Sequence, residues 1–272
     1  ALVLSPGIPL NFPQPHPLVV CARNAGCEII GDIELFARER PAGKIAAITG
    51  TNGKSTTTIL AGHLLESSGL SVAVGGNVGV PILDLPRMPS DGAYVIELSS
   101  YQIDLAPSLA ADVAVLLNLS PDHLKRHGGM DGYITSKKQL FDRQYPNQIS
   151  IVGMDDLESR TIYEGLKICR QAGVIAISAS GATDADVFVR DGLLYDCIED
   201  SSDCQPLTNL HQALKLKGTH NWQNAAAAYT VARSLGCSSR DAANALLSFP
   251  GLEHRMEEIG DVAGIRFVND SK

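Results

Sequence analysis

The chain has 272 residues, of which 44% are hydrophobic and 19% are charged, a composition that excludes intrinsic disorder. Six cysteines are too few for a disulfide scaffold, and the absence of a Cys-x-x-Cys pair argues against a zinc site. The formal charge of −8 disfavours nucleic acid as a partner. No apolar run is long enough to span a membrane and no secretion leader is recognised, so we expect a cytoplasmic α/β protein without a membrane partner.

The first part of the chain is rich in proline. Five prolines lie within residues 5–17, a density that excludes a helix or a central strand. We expect a loop there, followed by a short helix from Leu18 to Ala25. A strand is then expected over residues 26–33, leading into an acidic turn.

Short apolar runs alternate with helical segments in the middle of the chain. Strands are predicted at residues 45–48, 72–74, 94–98, 113–117, 149–152 and 174–177. Helices are predicted at residues 55–68, 131–144 and 156–172. Because these strands are apolar on both faces, they indicate a mostly parallel sheet that is covered by helices on both sides.

Two hairpins and two helices are predicted for the last part of the chain. Asp191-Gly192 lies between two alternating segments, which is a strong hairpin signal, and a second turn is expected at Ala263-Gly264. The hairpin strands are predicted at 187–190, 193–195, 256–259 and 265–268, and the helices at 220–235 and 239–248. The chain should therefore have an α/β fold, a mostly parallel sheet flanked by helices, with a small antiparallel hairpin region.

A phosphate-binding loop is predicted between the strand at 45–48 and the next helix. In the segment Thr49-Gly50-Thr51-Asn52-Gly53-Lys54-Ser55-Thr56, the glycines let successive N–H groups face one anion at a helix N-terminus. Lys54 is placed to reach the β- and γ-phosphates, and Ser55 or Thr56 to offer a hydroxyl to Mg²⁺. Ile48 stands where the common P-loop pattern has its first glycine, so the loop is a variant. No Asn-Lys-x-Asp guanine motif occurs, which favours ATP.

Three further polar residues follow predicted strands. Glu97 ends one buried strand, His123 follows the next, and Asn77 lies in the Gly-rich turn after the strand at 72–74. In open α/β sheets, ligands bind at the carboxyl ends of strands. Glu97 is therefore a candidate Mg²⁺ ligand, His123 a candidate metal ligand or proton carrier, and Asn77 a candidate substrate contact. Taken singly, each also fits an ordinary strand-end, surface or turn position.

Eight strings of residues, taken together, resemble those of the Mur ligase family, the ATP-dependent amide-bond ligases of peptidoglycan precursor synthesis. They have the family's order and spacing along the whole chain. The strings are residues 49–56, Gly75-Gly76-Asn77-Val78-Gly79-Val80-Pro81, Glu97-Leu98-Ser99-Ser100-Tyr101-Gln102, Asn118-Leu119-Ser120-Pro121-Asp122-His123-Leu124, Tyr133-x-x-x-Lys137, Gly218-Thr219-His220-Asn221-x-x-Asn224, His254-Arg255 and Asn269-Asp270-Ser271-Lys272.

The resemblance implies a domain organisation. Family members have a UDP-binding N-terminal domain, a central ATPase and a C-terminal domain for the incoming amino acid. Residues 1–33 would be a remnant of the first domain, 34–251 the central ATP-binding domain, and 252–272 a linker and the start of the third. The UDP and amino-acid pockets would then be mostly missing, and we expect the chain alone to bind ATP weakly and not to ligate.

Within the family, three strings resemble those of the members that add D-glutamate to UDP-N-acetylmuramoyl-L-alanine. They are residues 97–102, the opening Leu4-Ser5-Pro6-Gly7-Ile8-Pro9 and the final Val268-Asn269-Asp270-Ser271-Lys272. The resemblance implies ATP and these two small molecules as partners of a monomeric enzyme that works through an acyl phosphate. Two alternatives stay open. One is another ligase of the superfamily, such as a folylpolyglutamate synthase, and the other is a non-catalytic nucleotide-binding module.

The family's metal and phosphate ligands are carried over by position. Lys54, Ser55 and Thr56 would hold the ATP phosphates and one Mg²⁺, which Glu97 would also bind. His123 would help to bind a second Mg²⁺.

A carbamylated lysine is also implied by the resemblance. Lys137 would carry the carbamate that binds the second Mg²⁺, and only its spacing from Tyr133 favours it over Lys138. The residues facing the muramoyl-alanine substrate would be Asn77, Ser99 and His123. Those forming the rest of the nucleotide site would be His220, Asn221, Asn224, Arg255, Asp270 and Lys272. Without the resemblance, a helix cap for Asn221 and surface positions for most of the others would be the simpler interpretation.

Overall fold

The computed structural model describes residues 1–169, 173–180, 184–199, 204–252, 254 and 257–271. The strands are β1 (Leu2–Val3), β2 (Ile29–Ile30), β3 (Lys44–Thr49), β4 (Val72–Gly76), β5 (Ala93–Glu97), β6 (Val113–Leu116), β7 (Ile149–Gly153), β8 (Val174–Ser178), β9 (Val187–Arg190), β10 (Leu193–Asp196), β11 (Pro206–Asn209), β12 (Glu257–Val262) and β13 (Ile265–Asn269). The helices are α1 (Pro17–Asn24), α2 (Asp32–Arg38), α3 (Lys54–Ser67), α4 (Ser100–Asp104), α5 (Leu124–His127), α6 (Met130–Asp142), α7 (Leu157–Cys169), α8 (Thr219–Ser234) and α9 (Ser239–Leu247). Within the described ranges, no helix combines the length and apolar character needed to cross a membrane.

A sheet of nine strands forms the centre of the fold. Its strand order is β11-β10-β9-β8-β7-β6-β3-β5-β4, and every neighbouring pair from β4 to β9 is parallel. The last two pairs, β9 with β10 and β10 with β11, are antiparallel. The predicted parallel sheet and the hairpin at Asp191-Gly192 are thus confirmed.

Two hydrophobic cores lie on opposite faces of the sheet. Successive side chains of a strand point to opposite faces, and in β3 Ala46 and Ile48 enter one core while Ile45 and Ala47 enter the other. The first core is completed by residues of α3, α8 and α9, and the second by residues of α2, α4, α6 and α7. Helices therefore cover both faces, as the apolar runs predicted.

The carboxyl ends of the parallel strands lie along one edge of this sheet. The chain leaves β3 toward β4 on one side and later returns to add β6 on the other side of β3. Such a reversal of winding opens a crevice at the carboxyl end of the central strand. The segments that follow β3, β5 and β6 therefore meet at one place.

One region differs from its prediction. The strand expected over residues 26–33 is only two residues long, and the expected acidic turn is the helix α2. Asp32 and Glu34 lie in the first turn of α2, where carboxylates interact favourably with the helix dipole. Glu34 also accepts a hydrogen bond from Arg38 Nε at 2.7 Å, one turn along. The acidic residues thus favour a helix rather than a turn.

Four of the short strands and helices in the described residues were not predicted: β1, α4, α5 and β11. The second hairpin is confirmed as β12 and β13, although its expected first residue, Met256, lies outside the described residues. A disulfide bond joins Cys197, just after β10, to Cys204, just before β11. Although the cysteines are too few for a disulfide scaffold, this local cross-link is present at the antiparallel end of the sheet.

The proline-rich loop is held in place by Arg126. The guanidinium group donates hydrogen bonds to the carbonyl oxygens of Pro6, Ile8 and Phe12, and it lies 5.1 Å from the centre of the Tyr101 ring. Because a run rich in proline has few N–H groups, it cannot form its own backbone ladder. The loop is therefore fixed to α5 by a side chain from the other part of the fold.

Candidate functional site

The segment between β3 and α3 has the backbone geometry of an anion-binding loop. Gly50 and Gly53 have φ angles of 153° and 83°, values that favour glycine. A Cβ at Gly53 would overlap Oδ1 of Asn224, and one at Gly50 would lie 3.0 Å from Cβ of Leu117. The helix begins directly at Lys54, so the unpaired N–H groups of its first turn face the loop.

Lys54 bends back over this loop. Its Nζ donates to the carbonyl oxygens of Gly50 at 3.1 Å and Thr51 at 2.8 Å. The ammonium group thus adds positive charge at the mouth of the loop, beside the helix N-terminus. Both sources of positive potential act on the same point, which suits a polyphosphate.

The segment after β6 supports the loop from behind. The N–H of Thr51 donates to the carbonyl oxygen of Asn118 at 2.9 Å, and the N–H of Ser120 donates to Oγ1 of Thr51 at 3.0 Å. Oγ1 of Thr51 also lies 3.1 Å from the hydroxyl of Tyr133. These contacts fix the conformation of the loop without using the N–H groups of the α3 first turn.

Glu97 is a buried carboxylate with one unused oxygen. It is only 2% exposed at the end of β5, next to β3, and its Oε1 accepts a hydrogen bond from Asn77 Nδ2 at 2.8 Å. Its Oε2 is buried without a hydrogen-bond partner in the described part of the chain. A buried carboxylate oxygen that lacks a donor is costly, and a cation bound there would remove that cost.

The ligand chemistry at this position fits Mg²⁺. The described residues contain no cluster of three or more His, Cys, Asp or Glu side chains that could hold a metal. Mg²⁺ commonly binds through one or two protein ligands and completes its shell with water and substrate phosphates. Glu97 together with the buried Ser55 at the start of α3 matches that pattern.

Lys137 is buried against the same loop. It is 1% exposed, and its Nζ donates to Oγ1 of Thr49 at 3.0 Å and to the carbonyl oxygen of Gly50 at 2.9 Å. Burial and then the nearby charge of Lys54 lower the pKa of Lys137 to about 7. Its neighbour Lys138 points away and forms an exposed ion pair with Asp142 at 2.5 Å.

His123 lies at the rim rather than in the interior. Its backbone has a left-handed φ of 51° at the N-terminus of α5, and its exposed ring lies 5.4 Å from that of Tyr101. Its Nε2 is 3.5 Å from a carboxylate oxygen of Asp122. Among the described contacts, the ring reaches these two residues and not Glu97 or Lys137.

His127, which the sequence did not single out, is the buried histidine of this region. Its Nε2 lies 2.9 Å from Oγ of Ser100, and its ring lies 5.3 Å from that of Tyr133. Burial, followed by the charges of Lys137 and Arg126, lowers its pKa to about 4. The ring is therefore neutral at physiological pH.

Asn77 and Ser99 differ in their availability to a substrate. Asn77 is brought to the site, where its side chain and its backbone N–H both bond to Glu97. Ser99 caps α4, because its Oγ accepts from the N–H of Gln102 at 3.3 Å while the Gln102 side chain bonds back to the Ser99 backbone. The hydroxyl of Ser99 thus has a structural role in this arrangement.

The beginning of α8 packs on the phosphate loop. Oδ1 of Asn224 accepts from Oγ1 of Thr57 at 3.3 Å, and its Nδ2 donates to Oδ1 of Asn221 at 3.2 Å. Asn221 also donates to the carbonyl oxygen of Lys217 at 2.9 Å. Both asparagines are thus brought to the loop. Of the remaining predicted nucleotide residues, Asp270 is exposed just after β13, while Arg255 and Lys272 lie outside the described residues.

A groove of about 510 Å³ extends from the loop along the ends of β6, β7 and β8 to the start of α8. The polar residues that line it include Asn52, Asn118, Asp155, Ser180, His220 and Gln223. His220 was predicted near the nucleotide, whereas Asn118, Asp155 and Gln223 were not selected. Asp155 follows the end of β7 much as Glu97 ends β5, so the same strand-end rule would have found it.

Comparisons with known proteins agree with this geometry. The family model of the Mur ligase middle domain matches residues 48–232. The whole chain is 49% identical to the UDP-N-acetylmuramoylalanine–D-glutamate ligase of Phenylobacterium zucineum (strain HLK1) and 48% identical to that of Paramagnetospirillum magneticum (strain ATCC 700264 / AMB-1). It spans only 59% and 58% of the lengths of these relatives.

Solved structures show the same fold. A crystal structure of MurF from Acinetobacter baumannii superposes with a TM-score of 0.64 at 25% sequence identity, covering 88% of this chain and 52% of that one. The phosphate loop, Glu97, Lys137 and the start of α8 all lie within the residues that the family model matches. The chain therefore belongs to the Mur ligase family.

Proposed function

We propose that this chain is the ATP-binding part of an enzyme that joins D-glutamate to UDP-N-acetylmuramoyl-L-alanine. The observation that carries the proposal is the unpartnered oxygen of Glu97, buried beside a loop with the geometry for binding phosphates. The choice of substrates is supported by the names of relatives at 48% and 49% identity. We further propose that residues 34–251 are the central domain, between a remnant at 1–33 and a linker at 252–272.

The reaction requires activation of a carboxylate, whose oxygen is a poor leaving group. An oxygen of the substrate carboxylate attacks the γ-phosphorus of ATP, and ADP leaves, giving an acyl phosphate. The amine nitrogen of the second substrate then attacks the acyl carbon and loses a proton, and phosphate leaves. Lys54 and the N–H groups of α3 would neutralise the charge that develops on the transferred group, and one such contact is worth about 3–4 kcal/mol of barrier.

Mg²⁺ would be held by side chains on both sides of the phosphate loop. Glu97, with the hydroxyl of Ser55 or Thr56, would bind one ion against the phosphate oxygens, where Mg²⁺ supplies charge neutralisation. His123 and a carbamate on Lys137 would bind a second. Asn77 supports this assignment, because its hydrogen bond holds Oε1 of Glu97 and leaves Oε2 for the ion.

A carbamate forms when an unprotonated amine attacks CO₂ and releases one proton, giving –NH–COO⁻. At a pKa of about 7, half of Lys137 is unprotonated at neutral pH. The product keeps one N–H, which can still donate to the carbonyl oxygen of Gly50. The exposed Lys138, paired with Asp142, has no such access to the loop, which supports Lys137 as the modified residue.

The groove beside the loop would receive the nucleoside. His220 lines it, and Asn221 and Asn224 lie next to it at the start of α8, close to Gly53. The predicted roles of Ser99 and His123 toward the muramoyl substrate, and of Arg255, Asp270 and Lys272 toward the nucleotide, are kept as part of the proposal. We also propose that the whole protein is a cytoplasmic monomer acting on small molecules, which sedimentation analysis would test.

The nucleotide site is tested by titration calorimetry of the 272-residue chain with AMP-PNP in the presence of Mg²⁺. We expect binding that Lys54→Ala weakens at least tenfold. Lys44→Ala is the matched control, since Lys44 is an exposed residue at the opposite end of β3, paired with Asp112. Equal affinities for the wild type and Lys54→Ala would refute the phosphate-loop assignment.

The ligase activity is tested with the longer protein that contains this chain. An amino-acid panel with UDP-N-acetylmuramoyl-L-alanine, ATP and Mg²⁺ should show ADP release and product only with D-glutamate. Product with a different amino acid would identify another member of the family. No ADP release with any amino acid would favour a non-catalytic module.

A further inference from the structure

We propose that Asp155, Gln223 and Asn118 form a hydrogen-bond relay that positions Asn52 in the phosphate loop. The inference rests on the proposed nucleotide binding at that loop and adds three positioning residues to it. None of them needs to touch the phosphates, because each acts on the next member of the relay. The relay runs along the wall of the groove from the end of β7, through α8, to the segment after β6.

The contacts are continuous from the carboxylate to the loop backbone. Nε2 of Gln223 donates to Oδ2 of Asp155 at 3.0 Å, and Oε1 of Gln223 accepts from Nδ2 of Asn118 at 3.0 Å. Asn118 then binds both backbone groups of Asn52: its Oδ1 accepts from the N–H at 2.9 Å, and its Nδ2 donates to the carbonyl oxygen at 3.2 Å. The side-chain amide of Asn118 thus holds Asn52 of the loop by both the N–H and the carbonyl group of its backbone.

The direction of every bond follows from the charge at one end. An ionised carboxylate can only accept, so Gln223 must turn its NH₂ group toward Asp155. Its oxygen then faces Asn118, which must present its own NH₂ group there and its oxygen to Asn52. Asp155 is itself held by the N–H groups of Ala179 and Ser180. A neutral amide in place of Asp155 could donate as well as accept, so it would no longer fix the orientation of the Gln223 amide.

The packing around Gln223 prevents an easy alternative. Gln223 is 7% exposed, and Nε2 of Gln223 lies 3.1 Å from where a Cβ on Gly153 would stand. The absence of a side chain at Gly153 thus lets Gln223 of α8 lie close to β7. A reversed amide at Gln223 would turn its oxygen toward Asp155 and its NH₂ group toward that of Asn118, and both hydrogen bonds would be lost. The relay therefore has one favourable orientation.

The test removes two neighbouring members of the relay, singly and together. Gln223→Met keeps the length of the side chain but neither donates to Asp155 nor accepts from Asn118. Asn118→Ala removes the acceptor and the donor that hold the backbone of Asn52. If Gln223 acts on Asn52 through Asn118, adding Gln223→Met to Asn118→Ala has no further effect on Asn52. The effects of the two substitutions add if Gln223 supports the loop by another route.

Two quantities are measured at pH 8. Titration with AMP-PNP and Mg²⁺ should give at least a tenfold loss of affinity for each single variant, and for the double variant a value within threefold of that for Asn118→Ala. Hydrogen exchange of the Asn52 amide, followed by NMR without nucleotide, should accelerate in each single variant and no further in the double one. Asn209→Ala, on β11 at the far edge of the sheet, also removes a polar side chain and should change neither.

The outcomes separate the relay from the nucleotide site. If the wild type fails to bind AMP-PNP, the proposed function is wrong, yet the exchange of the Asn52 amide still decides the relay. Unchanged exchange of the Asn52 amide in Gln223→Met, or additive acceleration in the double variant, overturns the relay. Should the double variant not fold, the two single variants decide. The relay requires faster exchange of the Asn52 amide in both, and wild-type exchange in Gln223→Met overturns it.

Discussion

Replacing Lys137 with methionine should remove a large pH dependence of stability. The pKa of Lys137 falls from 10.5 to about 7 on folding. At about 1.4 kcal/mol per pH unit, the buried ammonium opposes folding by about 5 kcal/mol below pH 7. Between the two pKa values the unfolded chain binds more protons than the folded one, so stability increases with pH across that window. From pH 7 to pH 9 this single group should add about 2 kcal/mol.

The assay is guanidinium chloride unfolding at pH 7 and pH 9 in buffer free of CO₂. The contribution of Lys137 is the pH-dependent change in the free energy of unfolding of the wild type minus that of Lys137→Met. The contributions of the other titrating groups cancel in this difference. Lys138→Met is the control, and because that side chain is exposed it should keep the wild-type pH dependence. The reasoning is refuted if Lys137→Met retains the full increase. Adding bicarbonate should then raise the unfolding midpoint of the wild type but not that of Lys137→Met, since CO₂ would bind only the unprotonated folded-state amine.

Three further substitutions test other parts of the site and the fold. Gly53→Ala should lower the free energy of unfolding by more than about 2 kcal/mol and abolish AMP-PNP binding, because the new Cβ would overlap the side-chain amide of Asn224. Gly236→Ala is the control in the same unfolding assay. Gly236 has a φ of 102° with open space around it, so only the backbone cost of about 1 kcal/mol is expected. Glu97→Gln should leave the melting temperature at or above that of the wild type while Mg²⁺ no longer improves nucleotide affinity; an undiminished Mg²⁺ effect would rule out Glu97 as the ligand. Tyr229→Phe should lose about 1–3 kcal/mol of stability, since the buried hydroxyl donates to a carboxylate of β10 at 2.7 Å, and a loss below about 0.5 kcal/mol would contradict this.

The parallel sheet could be predicted from the sequence because its signal is local. Each strand is a short run that is apolar on both faces, bounded by glycine or polar residues, and burial on both sides requires that composition. The phosphate loop was equally accessible, because its strand, glycines, Lys54 and helix are contiguous. By contrast, Ser100–Asp104 is a helix of barely one turn, formed around the capping box of Ser99, and one turn shows no hydrophobic periodicity.

Residues that act through distant partners escaped prediction for a different reason. Gln223 has a role only because the fold brings it to Asp155, 68 positions earlier. For the adjacent Lys137 and Lys138, the sequence favoured Lys137 only through its spacing from Tyr133, and burial against Thr49 and Gly50 now separates the two side chains. His127 is likewise ordinary in sequence, and the neutral state of its ring comes from burial and from the nearby charges of Lys137 and Arg126. Such properties depend on tertiary contacts rather than on local pattern.

The grip of Arg126 on the proline-rich loop has a consequence for the order of folding during synthesis. The three carbonyl groups that it binds leave the ribosome 114 to 120 residues before Arg126 itself. At about 5–20 residues per second, that interval is roughly 6–24 s. The loop must therefore wait, without its anchor, while β3 to β6 are made. The loop can dock only once the first four strands of the sheet have been made, and it can do so before α8 has been translated.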